Sequence, residues 1–289
     1  MTAGINMWSD ISSIANNIQE DAIFIVREMG QMQGLVTQFR DAAGMNPRIG
    51  YKYNSGTAKA IGDDDDLTSD AFTPSADQTL TPAEIGLQFF VTDARAESEA
   101  PENILRDAAL ELGYAALDKV ETDLITDIAS LTGGTIGSAG TTLTWGHVAA
   151  GIARARNANK SNQIPLACVL HVYQAALLAK SASIAGATTV AATGVADQVT
   201  KQGMTQAFTF MGVPIYQVFA SPDSADDFKG GVFPRNAIAI DWRRAIRVRP
   251  ERDESRRGIE FNMSAIYAHG IWRPLRGVYI YADATAPSA

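Results

Sequence analysis

The chain has 289 residues, 46% of them hydrophobic and 19% charged, a composition that suits a folded globular protein and excludes disorder as its main theme. With 24 basic against 32 acidic residues the formal net charge is -8, so the surface as a whole is not built to grip a phosphate backbone and any basic site must be local. The opening residues MTAGINMWSDISSIANN lack a charged region followed by an apolar run, and no segment carries eighteen uninterrupted apolar residues, so the chain reads as soluble, unexported and without a membrane span.

From Ile11 onward, Ile14, Ile18, Ala22, Ile25, Val26, Met29, Met32, Leu35, Val36 and Phe39 recur at steps of three and four, which predicts an amphipathic helix or helix pair bent near Gly30 and Gly34. Met45-Asn46-Pro47 ends it, because the residue before a proline is pushed out of the helical region. The next segment alternates at Ile49, Tyr51 and Tyr53 and again at Leu87, Phe89 and Val91, around a middle rich in Gly, Asp, Thr and Pro. That pattern predicts two β arms joined by a polar tip, with an open alternative in which these strands return to the chain's own sheet. Arms of about 15 to 20 residues at roughly 3.3 Å each would reach on the order of 50 to 65 Å, and a lone hairpin of that length must lie on something.

PENILRDAALELGYAALDKVETDLITDIASL follows, with proline in the first turn and acidic residues behind it. Two adjacent stripes run along it, Ile104, Ala108, Leu112, Ala115, Lys119 and Leu105, Ala109, Leu112, Ala116, Val120, Leu124, which predicts a helix of about 30 residues and roughly 45 Å. Gly133 and Gly134 stop it, and GGTIGSAGTT reads as a loop. Beyond it, WGHVAAGIARARNANK predicts a helix, IPLACVLHV a buried strand and YQAALLAKSAS a second helix. IAGATTVAATGVADQVTKQG is too small and polar to pack a core and reads as a loop. FTFMGVPIYQVFASP reads as a strand pair bent at Gly212-Val213-Pro214, and NAIAIDW, RAIRVRP, GIEFNMSAIYAHG and RGVYIYADA all favour strands.

Catalytic motifs find little support. GGTIGSAG lacks the lysine and hydroxyl of a phosphate loop and follows a helix instead of preceding one. His147, His171 and His269 stand in separate segments without metal-ligand spacing, no G-x-S-x-G elbow is present, and the single cysteine, Cys168, lies in an apolar run. No catalytic residue, cofactor or metal is assigned, and the chain is read as a non-enzyme. What stands out is charge. Arg243, Arg244, Arg247, Arg249, Arg252, Arg256 and Arg257 crowd into Asp241 to Gly258, with Arg247 and Arg249 alternating against Ile246 and Val248 as a half-buried strand requires. Guanidinium forks suit carboxylates and phosphates alike, but Glu251, Asp253 and Glu254 are interspersed and no aromatic stacking platform accompanies them. The run Asp63, Asp64, Asp65 and Asp66, at the tip of the arm, is the natural acidic counterpart on a neighbouring copy, and ion pairs between the two sets are the expected intersubunit contact.

The order of these segments resembles the major capsid proteins of tailed bacteriophages, the Hong Kong 97-like fold that encapsulin shells share. The resemblance covers nearly the whole chain. Its carriers are DDDDLTSDAFTPSADQTLTPAEIGLQFFVTDA leading into the long helix, MGVPIYQVFASP, and the closing NAIAIDWRRAIRVRPERDESRRGIEFNMSAIYAHGIWRPLRGVYIYADA. It implies an α+β fold with an N-terminal arm (1–46), an extended loop (47–95), a peripheral domain with a long spine helix (96–139), an axial domain (140–230) and a β-rich return to the peripheral domain (231–289). The function it implies is self-assembly into hexamers and pentamers that form an icosahedral head enclosing double-stranded DNA without sequence-specific binding. Such a shell belongs to the virion and is assembled in the bacterial host cytoplasm. The partners implied are further copies of the chain, a separate scaffolding protein, a portal and, as an open option, a decoration protein. A separate scaffold, or prior removal of a scaffolding segment, is expected because the extended loop begins near Arg48 and leaves no room before it for such a segment. The alternative function is an encapsulin-like compartment around an enzyme cargo.

Overall fold

The computed structural model describes residues 31–53, 58, 60, 61, 63, 72–94, 101–186, 209–220, 222, 223 and 226–287, and side chains within these except 76, 101–107, 109, 110 and 182–186. Met32–Leu35 forms one helical turn (α1), followed by the short strand Thr37–Phe39 (β1). This corrects the helix expected to run on to Met45: from Thr37 the backbone pairs in parallel with the later strand Ile238–Asp253 (β10), Thr37 opposite Ala239 and Phe39 opposite Asp241. A sheet edge with unpaired donors and acceptors overrides a helical periodicity that Gly34 already weakens. The earlier part of that helix lies outside the described residues.

Arg48–Tyr53 (β2) is a strand as expected, but its partner is Pro74–Leu80 (β3), joined antiparallel with Arg48 opposite Leu80 and Tyr53 opposite Pro74. The second arm was expected at Leu87, Phe89 and Val91. Those residues instead sit in Ala83–Thr92 (β4), which pairs with Gly258–Ile271 (β11) in the main sheet. The period of two holds, and for Leu87, Phe89 and Val91 it is the open alternative, a return to the chain's own sheet, that is realised, because alternation fixes which face a side chain takes and not which strand it meets.

Pro101–Ile128 is the long spine helix (α2). Its buried stripe is Leu112, Ala116, Val120, Leu124 and Ile128, four residues apart, whereas Lys119 of the other stripe is exposed. The first half, at Leu112 and Ala116, packs on Ile246, Val248, Phe261, Met263 and Ala265 of the β10–β11 hairpin. The second half, at Val120, Leu124 and Ile128, packs with Met32, Val36, Phe233, Ile238 and Ile240.

A four-stranded sheet has the order β1-β10-β11-β4, and a six-stranded sheet is built on the remaining strands. Those are Thr135–Gly137 (β5), Leu166–His171 (β6), Thr209–Phe210 (β7), Val213–Val218 (β8), Asp227–Pro234 (β9) and Val278–Asp283 (β12), in the order β5-β12-β9-β6-β8-β7. Thr135–Gly137 lies inside the glycine-rich stretch expected to be a loop, held parallel to β12. Central strand β6 is buried at every position because its alternate residues face two cores: Leu166, Cys168 and Leu170 meet the helix Trp145–Asn159 (α3), and Val169 joins the core under the spine helix. The helix Val172–Gly186 (α4) follows directly. Close approach of β9 to β6 requires Gly230, where a Cβ would stand 2.3 Å from the Val169 carbonyl oxygen. The β7–β8 turn falls at Met211-Gly212, one residue before the expected bend, and both have positive φ, as a tight hairpin turn demands. NAIAIDW and RAIRVRP form one continuous 16-residue strand, β10, with register shifts between Trp242 and Arg247. Among the described residues no helix is long and apolar enough to cross a membrane.

Candidate functional site

The arginine-rich segment lies on β10, the turn after it and the start of β11. Ile246 and Val248 are buried against the spine helix, and the intervening positions point to the opposite face of the sheet. Strand register brings carboxylates from far along the chain to these arginines. Arg244 pairs with Glu84 of β4 and donates to Ser264 Oγ at 3.2 Å. Arg252 makes a two-pronged pair with Asp93 at 3.1 and 3.0 Å and a second pair with Glu254 at 2.7 Å. Arg256 reaches Glu260 at 2.9 Å and lies 4.3 Å over the Phe90 ring. Four of the seven arginines, counting Arg243 below, therefore have partners in their own chain. Arg247, Arg249 and Arg257 have no ion pair among the described residues. On the acidic side Asp63 is exposed, and Asp64, Asp65 and Asp66 lie outside the described residues.

Arg243 serves a residue the sequence reading missed. Asp241 is fully buried, and its Oδ2 accepts from Arg243 Nη2 at 2.7 Å and from Arg48 Nε at 2.8 Å. Arg48 also pairs with Asp41, whose carboxyl it holds below the usual carboxylate range. An aspartate inside the apolar run AIAID was the available signal, since a buried charge survives only when paired.

Each histidine is spent on structure. Thr144 and His147 form a reciprocal capping box at the start of α3. His171 Nδ1 accepts from the Tyr173 N–H at 3.2 Å, and burial pulls its pKa down. His269 bonds Asp127 at 2.9 Å while Tyr267 donates to Asp123 at 2.7 Å, which fastens β11 to the spine helix. The Asp127 hydrogen bond raises the His269 pKa, against an opposing contribution from burial. Cys168 is buried and its thiol is pushed up to about 12, which leaves it protonated and unreactive. Among the described residues no three candidate ligands converge on a point that could hold a metal ion.

Open depressions are present among the described residues. One of about 430 Å³ is lined by Ile152, Arg156, Asn157, Lys160 and Met211. Another, of about 580 Å³, lies between the spine helix and the end of β8 and is lined by Tyr114, Leu117, Asp118, Glu121, Ile125 and Phe219. In the second, burial pushes Glu121 up to about 7 while both its oxygens accept the Met32 N–H, at 3.2 and 3.1 Å. Among the described residues, several exposed large apolar side chains gather on the β2–β3 arm. Ile49, Tyr51 and Tyr53 share one face and are all exposed, and Tyr53 stacks at 4.6 Å on Phe72, itself 74% exposed.

No family model matches the chain, and no curated protein matches it. Solved structures do. A structure from Mycobacterium phage Che8 is similar over 87% of this chain and 91% of its own, with a TM-score of 0.68 and 17% identity. The capsid of Ralstonia phage GP4 is similar over 88% of each chain, with a TM-score of 0.64 and 10% identity. A virus-like particle from Pyrococcus furiosus is similar over 92% of this chain and 98% of its own, with a TM-score of 0.59 and 10% identity. These similarities extend over nearly the full length of the chain, and the chain has the α+β, Hong Kong 97-like fold of those capsid structures.

Proposed function

We propose that this chain is the major capsid protein of a tailed bacteriophage, assembling as hexamers and pentamers into an icosahedral head around double-stranded DNA. The observation that carries the reading is the arm: its exposed face of Ile49, Tyr51, Tyr53 and Phe72 is an apolar patch that a folded monomer has no use for. A second copy is its occupant, because the fold is shared with subunits whose structures are capsids. In this reading residues 1–46 are the arm, 47–95 the extended loop, 96–139 and 231–289 the peripheral domain and 140–230 the axial domain. Arm, loop and spine together make an interface above the roughly 1,600 Å² of a standard complex. Repetition over a closed shell then makes loss of one subunit costly. The role is structural, not enzymatic. A net charge of -8 suits a wall that encloses DNA without gripping it. A separate scaffolding protein and a portal complete the head, which forms in the host cytoplasm and ends in the virion.

One observation favours a second reading, a compartment around a protein cargo: the Pyrococcus furiosus particle subunit matches over 98% of its length. Negative-stain microscopy with light scattering on the purified chain, alone and with co-expressed scaffold, tests both. Shells, or rings of five and six, are expected, and nuclease-protected DNA inside them supports the phage head where enclosed protein supports the compartment. A chain that stays monomeric under every condition removes both readings.

A further inference from the structure

The β2–β3 arm changes character within two residues. Arg48 is half-buried and Gly50 buried, but Tyr51, Lys52 and Tyr53 are all exposed, and the β2–β3 register shifts between Gly50 and Tyr51. On β3 the gradient is the same, from exposed Pro74 and Ser75 to Leu80, which is buried with Ala239 and Ala268. The arm is thus fixed at its root and free beyond it, so the root alone decides where the exposed face of Ile49, Tyr51 and Tyr53 is aimed.

Arg48 is the centre of that root. Its Nε donates to Asp241 Oδ2 at 2.8 Å, its guanidinium lies 4.3 Å over the Phe39 ring, and it also pairs with Asp41. Phe39 in turn meets Trp272 edge-on at 5.3 Å, and the same Trp272 ring closes on Gly50, where a Cβ would stand 3.0 Å from Cη2. Arg273 reaches Asp77 of β3 at 3.8 Å. Asp241 makes the joint hard to open. It is fully buried, its Oδ1 has no hydrogen-bond partner among the described residues, and the donors from Arg48 and Arg243 all converge on Oδ2. If Arg48 leaves, a buried carboxylate keeps one arginine where it had two, and an under-paired buried charge is among the costlier things a fold can hold.

We propose that Arg48, clamped between buried Asp241 and the Phe39–Trp272 pair, is the joint that aims the arm before it meets a second copy of the chain. It is a positioning residue: it acts by removing the orientational search that a loosely hinged arm would make at each docking event. The inference rests on the assembly reading above.

Three variants test it: Arg48→Gln, the double variant Arg48→Gln/Asp241→Asn, and Gly50→Ala. The double variant removes the under-paired carboxylate but leaves buried Arg243 without its counter-ion, so Gly50→Ala, which disturbs the joint from the Trp272 side with no change of charge, is the variant that stays folded if the charge variants do not. Thermal unfolding, amide exchange of β2 and the concentration at which light scattering shows assembly are measured together. The expected result is an unfolding midpoint close to wild type for Gly50→Ala. Exchange at Ile49 to Tyr53 should be faster by about tenfold, and the assembly threshold raised by about tenfold. Faster exchange with an unchanged threshold overturns the aiming role, and unchanged exchange in every folded variant overturns the joint itself. A wild-type chain that never assembles, with β2 exchange still slowed by Arg48, instead removes the assembly reading, and with it the docking half of the proposal.

Discussion

Glu121 shows how one side chain can carry a pH signature. Burial raises it to about 7, with Asp118 adding and the Met32 N–H opposing. A carboxyl raised above its ordinary value near 4.5 binds its proton more tightly in the fold, so stability is highest below about pH 4.5 and falls as pH climbs towards 7. Glu121→Gln keeps an acceptor for the Met32 N–H and removes the buried charge. The variant should gain on the order of 2 kcal/mol at pH 8 and almost nothing at pH 4, read as urea midpoints at the two pH values. His269 works in the same direction: its pKa is raised chiefly by Asp127, and its contribution is complete below about pH 6.5 and lost as pH rises through the folded value. His171, lowered by burial, opposes them and costs stability as pH falls below about 6.5. Asp241 was legible as an anomaly in AIAID, but its partner Arg48 was not, because 193 residues separate them and only the fold brings them together.

Among the elements, the spine helix is the one both sheets depend on. Its two halves pack on different clusters, so a cavity in it weakens both. Leu124→Ala, at a fully buried position, should cost roughly 2–5 kcal/mol by chemical denaturation, and an equivalent change at exposed Tyr114 should cost under about 0.5 kcal/mol. A loss confined to the Met32–Phe233 cluster would show that the two halves are uncoupled. The helix was readable because its stripes run at three- and four-residue steps between a proline start and a glycine stop. The β2–β3 arm was half readable. Alternation marked Arg48–Tyr53 correctly, while its partner PSADQTL offers no apolar alternation, and Leu87, Phe89 and Val91 offered a stronger pattern that belongs to the main sheet.

At the scale of the whole molecule the arginine hairpin and the arm are the surfaces left over once folding is complete. Arg247, Arg249 and Arg257 are the arginines of the cluster without an ion pair among the described residues, so they carry the proposed contact with the aspartates at 63–66 of a neighbour. Exposed pairs contribute only about 0 to 1 kcal/mol each, so their role is register more than strength. Arg247→Glu or Arg249→Glu should leave the unfolding midpoint unchanged and impair shell formation, scored by counting closed particles in micrographs; normal shells would discard the pairing. Arg244→Glu is the contrast, since it breaks a contact with Glu84 inside the subunit and should lower stability instead. By itself the sequence determined the order of the segments, the long helix, the buried strand at Leu166–His171 and the inward face of β10. Each of these follows from local periodicity, turn chemistry and composition. Only the tertiary structure decided which strand the arm pairs with, which arginines are already spent and what lies buried at the arm's root. Those outcomes depend on contacts between residues more than a hundred positions apart, and local pattern carries no information about which distant carboxylate or backbone edge the folded chain will bring within reach.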